Sequence, residues 1–160
     1  MYKIIDDFLN EKEYSIIENT INNNNFSWYY EPVITTGEDE SAFFHLLINK
    51  GKSNSHYTGD IMSIFEEKLN IEKTFRAKVN LYTRTDNLKI HNYHYDNIGY
   101  KIAIFYVNEN NGYTELKDIT KIESKKNRLL LFEGDIEHRS TNCTDEKTRI
   151  NININYSEDK

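Results

Sequence analysis

An antiparallel β sandwich or barrel with helices packed on its outside is the fold class that the sequence predicts, and three observations carry it. Strand-like runs follow one another from Thr74 onward, both helical patterns precede them, and two of the strands alternate polar and apolar side chains with period two. The 160 residues suit one domain spanning 1–160, with helical support mainly in 1–73 and a β core over about 74–156.

The elements follow in chain order. "YKIIDDFL" alternates enough for a short first strand, and Asn10 with Glu13 forms a capping-box pattern opening a helix through "EKEYSIIENTI", which ends near the run Asn22 to Asn25. "FSWYYEPVITT" reads as a strand and "GEDESAFFHLLINKGKSNSHYTG" as an irregular segment with apolar anchors. "DIMSIFEEKLNI" is a second amphipathic helix, with Ile61, Ile64, Phe65 and Leu69 on one face. Five strands then follow: "FRAKVNLYTR", "YKIAIFYVN", "YTELKDITKIES", "NRLLLFEG" and "TRINININ". Asn111-Gly112 supplies a hairpin signal between two of them.

Composition narrows the function classes. Hydrophobic residues make up 38% and aromatics 13%, too rich in large apolar side chains for a disordered chain. A net charge of −6 argues against a general binder of the phosphate backbone, so nucleic acid is an unlikely partner. Cys143 is the sole cysteine and the opening lacks the pattern of a signal peptide, from which a reducing, cytoplasmic setting is expected. No apolar run approaches the roughly 18 residues of a membrane helix, so no membrane partner is expected.

In the strand around residue 80, Lys78, Asn80, Tyr82 and Arg84 share one face, opposite Val79, Leu81 and Thr83. In the last strand Arg149, Asn151, Asn153 and Asn155 oppose Ile150, Ile152 and Ile154. Either the polar faces meet water, or they line the interior of a barrel while the apolar faces pack under the helices. Periodicity leaves both open.

The stretch "HNYHYDN" (91–97) brings metal chemistry into question. Two residues apart on a strand, His94 and Asp96 point the same way, whereas His91 faces the opposite side. His138 in "EGDIEHRS" offers a third ligand. Two neutral imidazoles and one carboxylate suit Fe(II), and zinc accepts the same set. Arg149 follows His138 by eleven residues, on a polar strand face where a guanidinium can clamp a dicarboxylate.

With these residues the sequence resembles the 2-oxoglutarate and Fe(II)-dependent oxygenases, in particular their small prolyl 4-hydroxylase-like branch. The matching stretches are "NLYTRT", "HYD", "NGYTEL", "NRLLLFEGDIEH" and "RININ". The resemblance implies a double-stranded β-helix, a cupin-like jelly-roll barrel, and with it the barrel-lining choice for the polar faces. It further implies Fe(II) on His94, Asp96 and His138, the far carboxylate of 2-oxoglutarate on Arg149 with help from Tyr82, and Asn80 and Asn151 in the same cosubstrate pocket. O2 is then the second cosubstrate, and ascorbate a supporting reductant. The implied activity is hydroxylation coupled to oxidative decarboxylation of 2-oxoglutarate to succinate.

Collagen-type prolyl hydroxylases usually have Lys where this chain has Arg149. The nucleic-acid demethylase branch shares Asn80/Tyr82 and Arg149/Asn151 but carries a second Arg where this chain has Asn155. The substrate expected first is a peptidyl side chain, prolyl above others, with a small molecule also admitted. Nucleic-acid or tRNA modification, and a catalytically silent metal-binding sensor module, are the alternatives. Substrate contacts are expected from "SAFFHLLINKGKSNSHYTG" and "DNIGY" around the barrel mouth. His45 and His56 are read as surface or packing residues. Trp28, Tyr29 and Tyr30 are read as core ahead of an aromatic substrate wall, and Lys125, Lys126 and Arg128 as a solvated turn ahead of a nucleic-acid patch.

Overall fold

The computed structural model describes residues 1–37 and 39–158. Its main sheet has eight strands. The path runs β1 (Tyr2–Ile5), β9 (Arg128–Glu133), β6 (Lys101–Tyr106), β11 (Thr148–Glu158), β5 (Ile71–Thr83), β3 (Ala42–Asn49) and β2 (Tyr29–Glu31), with β4 (Lys52–Ser53) paired to β3. A smaller sheet orders β10 (His138–Ser140), β7 (Tyr113–Leu116) and β8 (Thr120–Glu123). All the pairings are antiparallel.

Two helices cover one face of the main sheet. Helix α1 (Glu11–Ile21) starts at the expected capping box: the Asn10 side chain accepts from Glu13 N, and Glu13 Oε2 accepts from Asn10 N, both at 2.9 Å. Helix α2 (Thr58–Leu69) ends on Asn70 in the left-handed region, which asparagine tolerates better than most residues. Ile17, Ile21, Ile61 and Phe65 of the helices pack with Val79, Phe105, Ile152 and Ile154 of the sheet. On the opposite face Ile102, Ile104, Leu130 and Phe132 meet Leu116 and Ile122 of the small sheet in a second core. The isoleucines of β11 therefore point to the helices, and Asn151 and Asn153 point between the sheets. This is the barrel-lining arrangement. Arg84 lies just past the end of β5 and is exposed, so it leaves that face.

Several expectations need correction. The segment expected to be irregular contains β3 and β4, a hairpin turning at Lys50 and Gly51, both with positive φ; Glu38 of that segment lies outside the described residues. Its run "AFFHLLIN" is apolar on both faces, because β3 is buried from two sides, and so it shows no alternation. "FSWYYEPVITT" forms a strand only over β2, and "YTELKDITKIES" is a hairpin of two strands, β7 and β8, turning at Asp118 with φ 58°.

Asn111-Gly112 is no hairpin turn, since β6 and β7 lie in different sheets. A Cβ on Gly112 would lie 2.5 Å from Arg149 Cδ and would also strike the Asn142 carbonyl oxygen. This glycine therefore serves a close approach of chain to side chain. Tyr29 and Tyr30, expected in the core, are 57% and 61% exposed on the edge strand β2, while Trp28 packs on Phe26.

Candidate metal and cosubstrate site

"HNYHYDN" forms no regular strand. Single bridges pin it, Ile90 to Thr141 and His94 to His138. His94 N–H donates to His138 O at 2.9 Å and His138 N–H returns to His94 O at 3.0 Å, so the two residues sit directly opposite one another. Their rings lie 4.6 Å apart between centroids. Ligand atoms of His94, Asp96 and His138 all fall within 4.8 Å of one another, and His138 Nε2 is 3.9 Å from Asp96 Oδ2.

Each imidazole is oriented through its other nitrogen. His94 Nδ1 meets the Asn92 carbonyl at 3.3 Å, and His138 Nδ1 meets the Ile136 carbonyl at 3.2 Å. That pairing turns Nε2 of both rings outward for a ligand. Burial pushes the His138 pKa down, against the pull of Asp96, which favours the neutral imidazole a metal requires. Burial alone would raise the Asp96 carboxyl. The Arg76 charge, then His138 and the Asn153 bond, outweigh it and hold the group below its ordinary value. The donor set thus fits a divalent cation.

His91 is not in this group, but the strand alternation that set it apart does not exist here. It turns inward instead, is 2% exposed, and its ring lies 5.3 Å from that of Tyr82. Its Nδ1 has no hydrogen-bond partner, and burial, with the charge of Arg149, lowers its pKa to about 4.

Arg149 is wholly buried on β11. Its Nε donates to Ser124 Oγ (2.8 Å), Nη1 to Ser140 Oγ (2.6 Å) and the Thr141 carbonyl (3.1 Å), and Nη2 to Thr114 Oγ1 (3.2 Å). Each of these acceptors is neutral, and among the described residues no carboxylate pairs with Arg149. A buried cation without a counter-charge is costly, and a bound carboxylate offsets that cost. Tyr82 and Tyr106 flank the guanidinium, their ring centroids 5.4 and 5.8 Å from its carbon. Burial raises both phenol pKa values, so both stay protonated as donors. The Tyr106 hydroxyl is buried and unpaired, with Thr114 beside it but outside hydrogen-bond geometry.

Asn80 Nδ2 donates to Asn151 Oδ1 at 3.0 Å, so these two brace one another along the cavity wall. A cavity of about 210 Å³ lies over His94, Asp96, Arg76, Lys78 and Tyr95. A smaller one of about 40 Å³ lies deeper, against His138, Thr114 and Asn151. They share Asn80, Tyr82, His94, Ser140 and Asn153. A larger cleft of about 650 Å³, lined by Glu109, Asp145 and Arg128 among others, touches none of the three candidate ligands.

Sequence reasoning missed Tyr106 and Arg76. Tyr106 sits in the apolar run of β6, where period two carries no signal. Arg76 is two residues before Lys78 on the same strand face, so the alternation reaches it. His45 is a packing residue, bonded to the Ser27 carbonyl and to Ser55 Oγ. Of the basic cluster, Lys125 and Arg128 pair with Asp6, and Lys126 lies near Glu18.

No protein-family model and no curated protein matches the chain. Solved structures do. An oxidoreductase of the 2OG-Fe(II) oxygenase family from Burkholderia pseudomallei superposes with a TM-score of 0.68 at 9% identity, over 98% of this chain and 84% of that one. A Trichoplax adhaerens prolyl hydroxylase, in complex with a hypoxia inducible factor peptide fragment, gives 0.67 at 13% identity over 98% and 83%. A Pseudomonas putida prolyl-4-hydroxylase gives 0.62 at 12% over 99% and 93%. At these identities the likeness establishes the fold: the chain has the jelly-roll, cupin-like architecture of these oxygenases.

Proposed function

We propose that the chain acts as a single Fe(II)- and 2-oxoglutarate-dependent dioxygenase domain over 1–160. The observation that carries this reading is the pairing of a His-Asp-His cluster with a fully buried Arg149, which no carboxylate pairs among the described residues and which donates to Ser140 in the wall of the cavity over that cluster. His94 Nε2, His138 Nε2 and an Asp96 oxygen would hold Fe(II). Arg149 would receive the far carboxylate of 2-oxoglutarate, with Tyr82 and the unpaired Tyr106 hydroxyl as further donors and Asn80 and Asn151 as the polar wall. The chemistry supplied when Fe(II), 2-oxoglutarate and O2 are bound is oxidative decarboxylation to succinate and CO2, with hydroxylation of a substrate C–H bond. Ascorbate would keep the iron reduced.

The substrate favoured is a peptidyl side chain, prolyl first. It would enter through the wider cavity, where Tyr95, Ile34 and the Glu31–Lys78 pair stand at the rim. The peptide bound to the Trichoplax adhaerens neighbour supports that choice. Among the described residues no helix is long and apolar enough to cross a membrane; a cytoplasmic location is a further part of this proposal.

The test is succinate release after anaerobic loading with Fe(II), followed by 2-oxoglutarate, ascorbate and air. Turnover above background is expected, rising with the right peptide. His138→Ala should lower iron content to background and abolish succinate. Iron uptake with no succinate across a peptide panel would instead favour a silent, metal-binding module.

A further inference from the structure

The Asp96 carboxylate is gripped from two strands. Arg76 Nη2 on β5 donates to Oδ1 at 3.1 Å, while Asn153 Nδ2 on β11 donates to Oδ2 at 2.8 Å, with Asn155 Nδ2 farther off at 3.4 Å. The grip is built into the sheet, because Arg76 and Asn155 are register partners across β5 and β11. Asn155 is itself fixed, donating to Asn153 Oδ1 at 2.6 Å and accepting from the Asn97 side chain. The Asp96 side chain is 5% exposed and that of Arg76 31%. Among the described residues Arg76 forms no other side-chain hydrogen bond, and its Nε is buried without a partner. Nothing but Asp96 accounts for where this guanidinium sits.

The two carboxylate oxygens face different ways. Oδ1 is taken by Arg76, whereas Oδ2, which accepts from Asn153, looks toward His138 Nε2 at 3.9 Å and keeps a second lone pair for an ion. We propose that Arg76 is a positioning residue of the metal centre, holding Oδ1 so that Asp96 offers the ion a single oxygen, Oδ2. The inference rests on the reading of His94, Asp96 and His138 as metal ligands. Carboxylate ligands are commonly oriented by such outer partners, and loss of one typically lowers metal affinity by roughly 10- to 100-fold. A guanidinium beside a divalent ion also repels it, so two effects compete and removal of Arg76 decides between them. Because Arg76 takes one oxygen and leaves the oxygen nearest the imidazole, the geometry favours orientation over competition for the site.

The experiment compares parent, Arg76→Ala and Arg76→Gln in titrations with Mn(II), followed by the resonance of the free ion, and with Co(II), followed by its visible d–d bands. Arg76 is part-exposed and tied only to Asp96, so both variants are expected to fold. The alanine form should bind both ions roughly 10- to 100-fold more weakly, with altered Co(II) bands as Asp96 becomes free to use both oxygens. The glutamine form keeps a donor for Oδ1 without the charge, and it should recover most of the affinity and the parental bands. Unchanged or tighter binding by the alanine form overturns the inference and makes Arg76 a competitor of the ion. A parent that binds neither ion overturns the metal-site reading, and this inference with it.

Discussion

One face of the main sheet is divided between two chemistries. Toward β6 and β9 it presents Ile102, Ile104, Leu130 and Phe132 to the small sheet, a dry core. Toward β11 and β5 the same face presents Arg149, Asn151, Asn153, Lys78, Asn80 and Tyr82. The boundary runs between neighbouring strands: Tyr106 of β6 is the register partner of Asn151, and Ile104 of Asn153. A single layer of backbone thus supports a packed interior and a polar cavity side by side. The dry half, with Phe132 edge-on to His138 at 4.9 Å, walls the candidate ligands off from that side. The polar half is tolerable because most of its groups are paired; Arg76 Nε and, at its border, the Tyr106 hydroxyl are buried without a partner.

The widest departure between the halves should come from Arg149→Ala. Losing a buried bidentate contact leaves an anion unpaired, a cost of about 3 to 5 kcal/mol, or two to four decades in affinity for 2-oxoglutarate. Iron uptake should persist while the visible charge-transfer band on adding 2-oxoglutarate is lost at ordinary concentrations. Arg149→Lys should recover part of it, since the ammonium keeps the charge and loses the fork. Undiminished affinity in the alanine form would place the carboxylate elsewhere.

On the helix-facing side of the same strand, Ile152→Ala should cost about 2 to 5 kcal/mol of stability, the range for a large-to-small change in a buried core. Urea unfolding measures it, and the affinity of the folded protein for 2-oxoglutarate should not move. If both quantities fell together, the two faces of β11 would not be separable as described.

The smallest effect concerns His91. Its folded pKa of about 4 lies below the ordinary 6.5, so the unfolded chain binds more protons between those values. Its contribution to stability is therefore full above about pH 6.5 and is lost as pH falls toward 4. The slope is at most about 1.4 kcal/mol per pH unit. His91→Gln should flatten the stability profile within that window relative to the parent; an identical slope would mean that His91 titrates normally.

The two halves also differed in how far the sequence disclosed them. On β11 and β5 the alternation of Asn and Ile marks two faces, and His94, Asp96 and His138, singled out through the family resemblance, lie together in the fold. In β3, β6 and β9 both faces are buried, so period two vanishes, and with it went the hairpin at Gly51 and the hydroxyl of Tyr106. His91 stays outside the ligand group as expected, but not by strand alternation. Alternation was applied to a stretch held by single bridges, where tertiary contacts alone set the direction of a side chain.

Gly112 is where three parts of the chain meet. Its missing side chain is the room into which the stem of Arg149 fits, with the Asn142 carbonyl closing the other side. The Asn142 carbonyl oxygen alone would exclude a side chain at 112, so a shorter residue at 149 would not by itself free the position. The dipeptide Asn111-Gly112, which reads as a turn in isolation, is thus held to glycine by a backbone carbonyl and a side-chain stem from far along the chain.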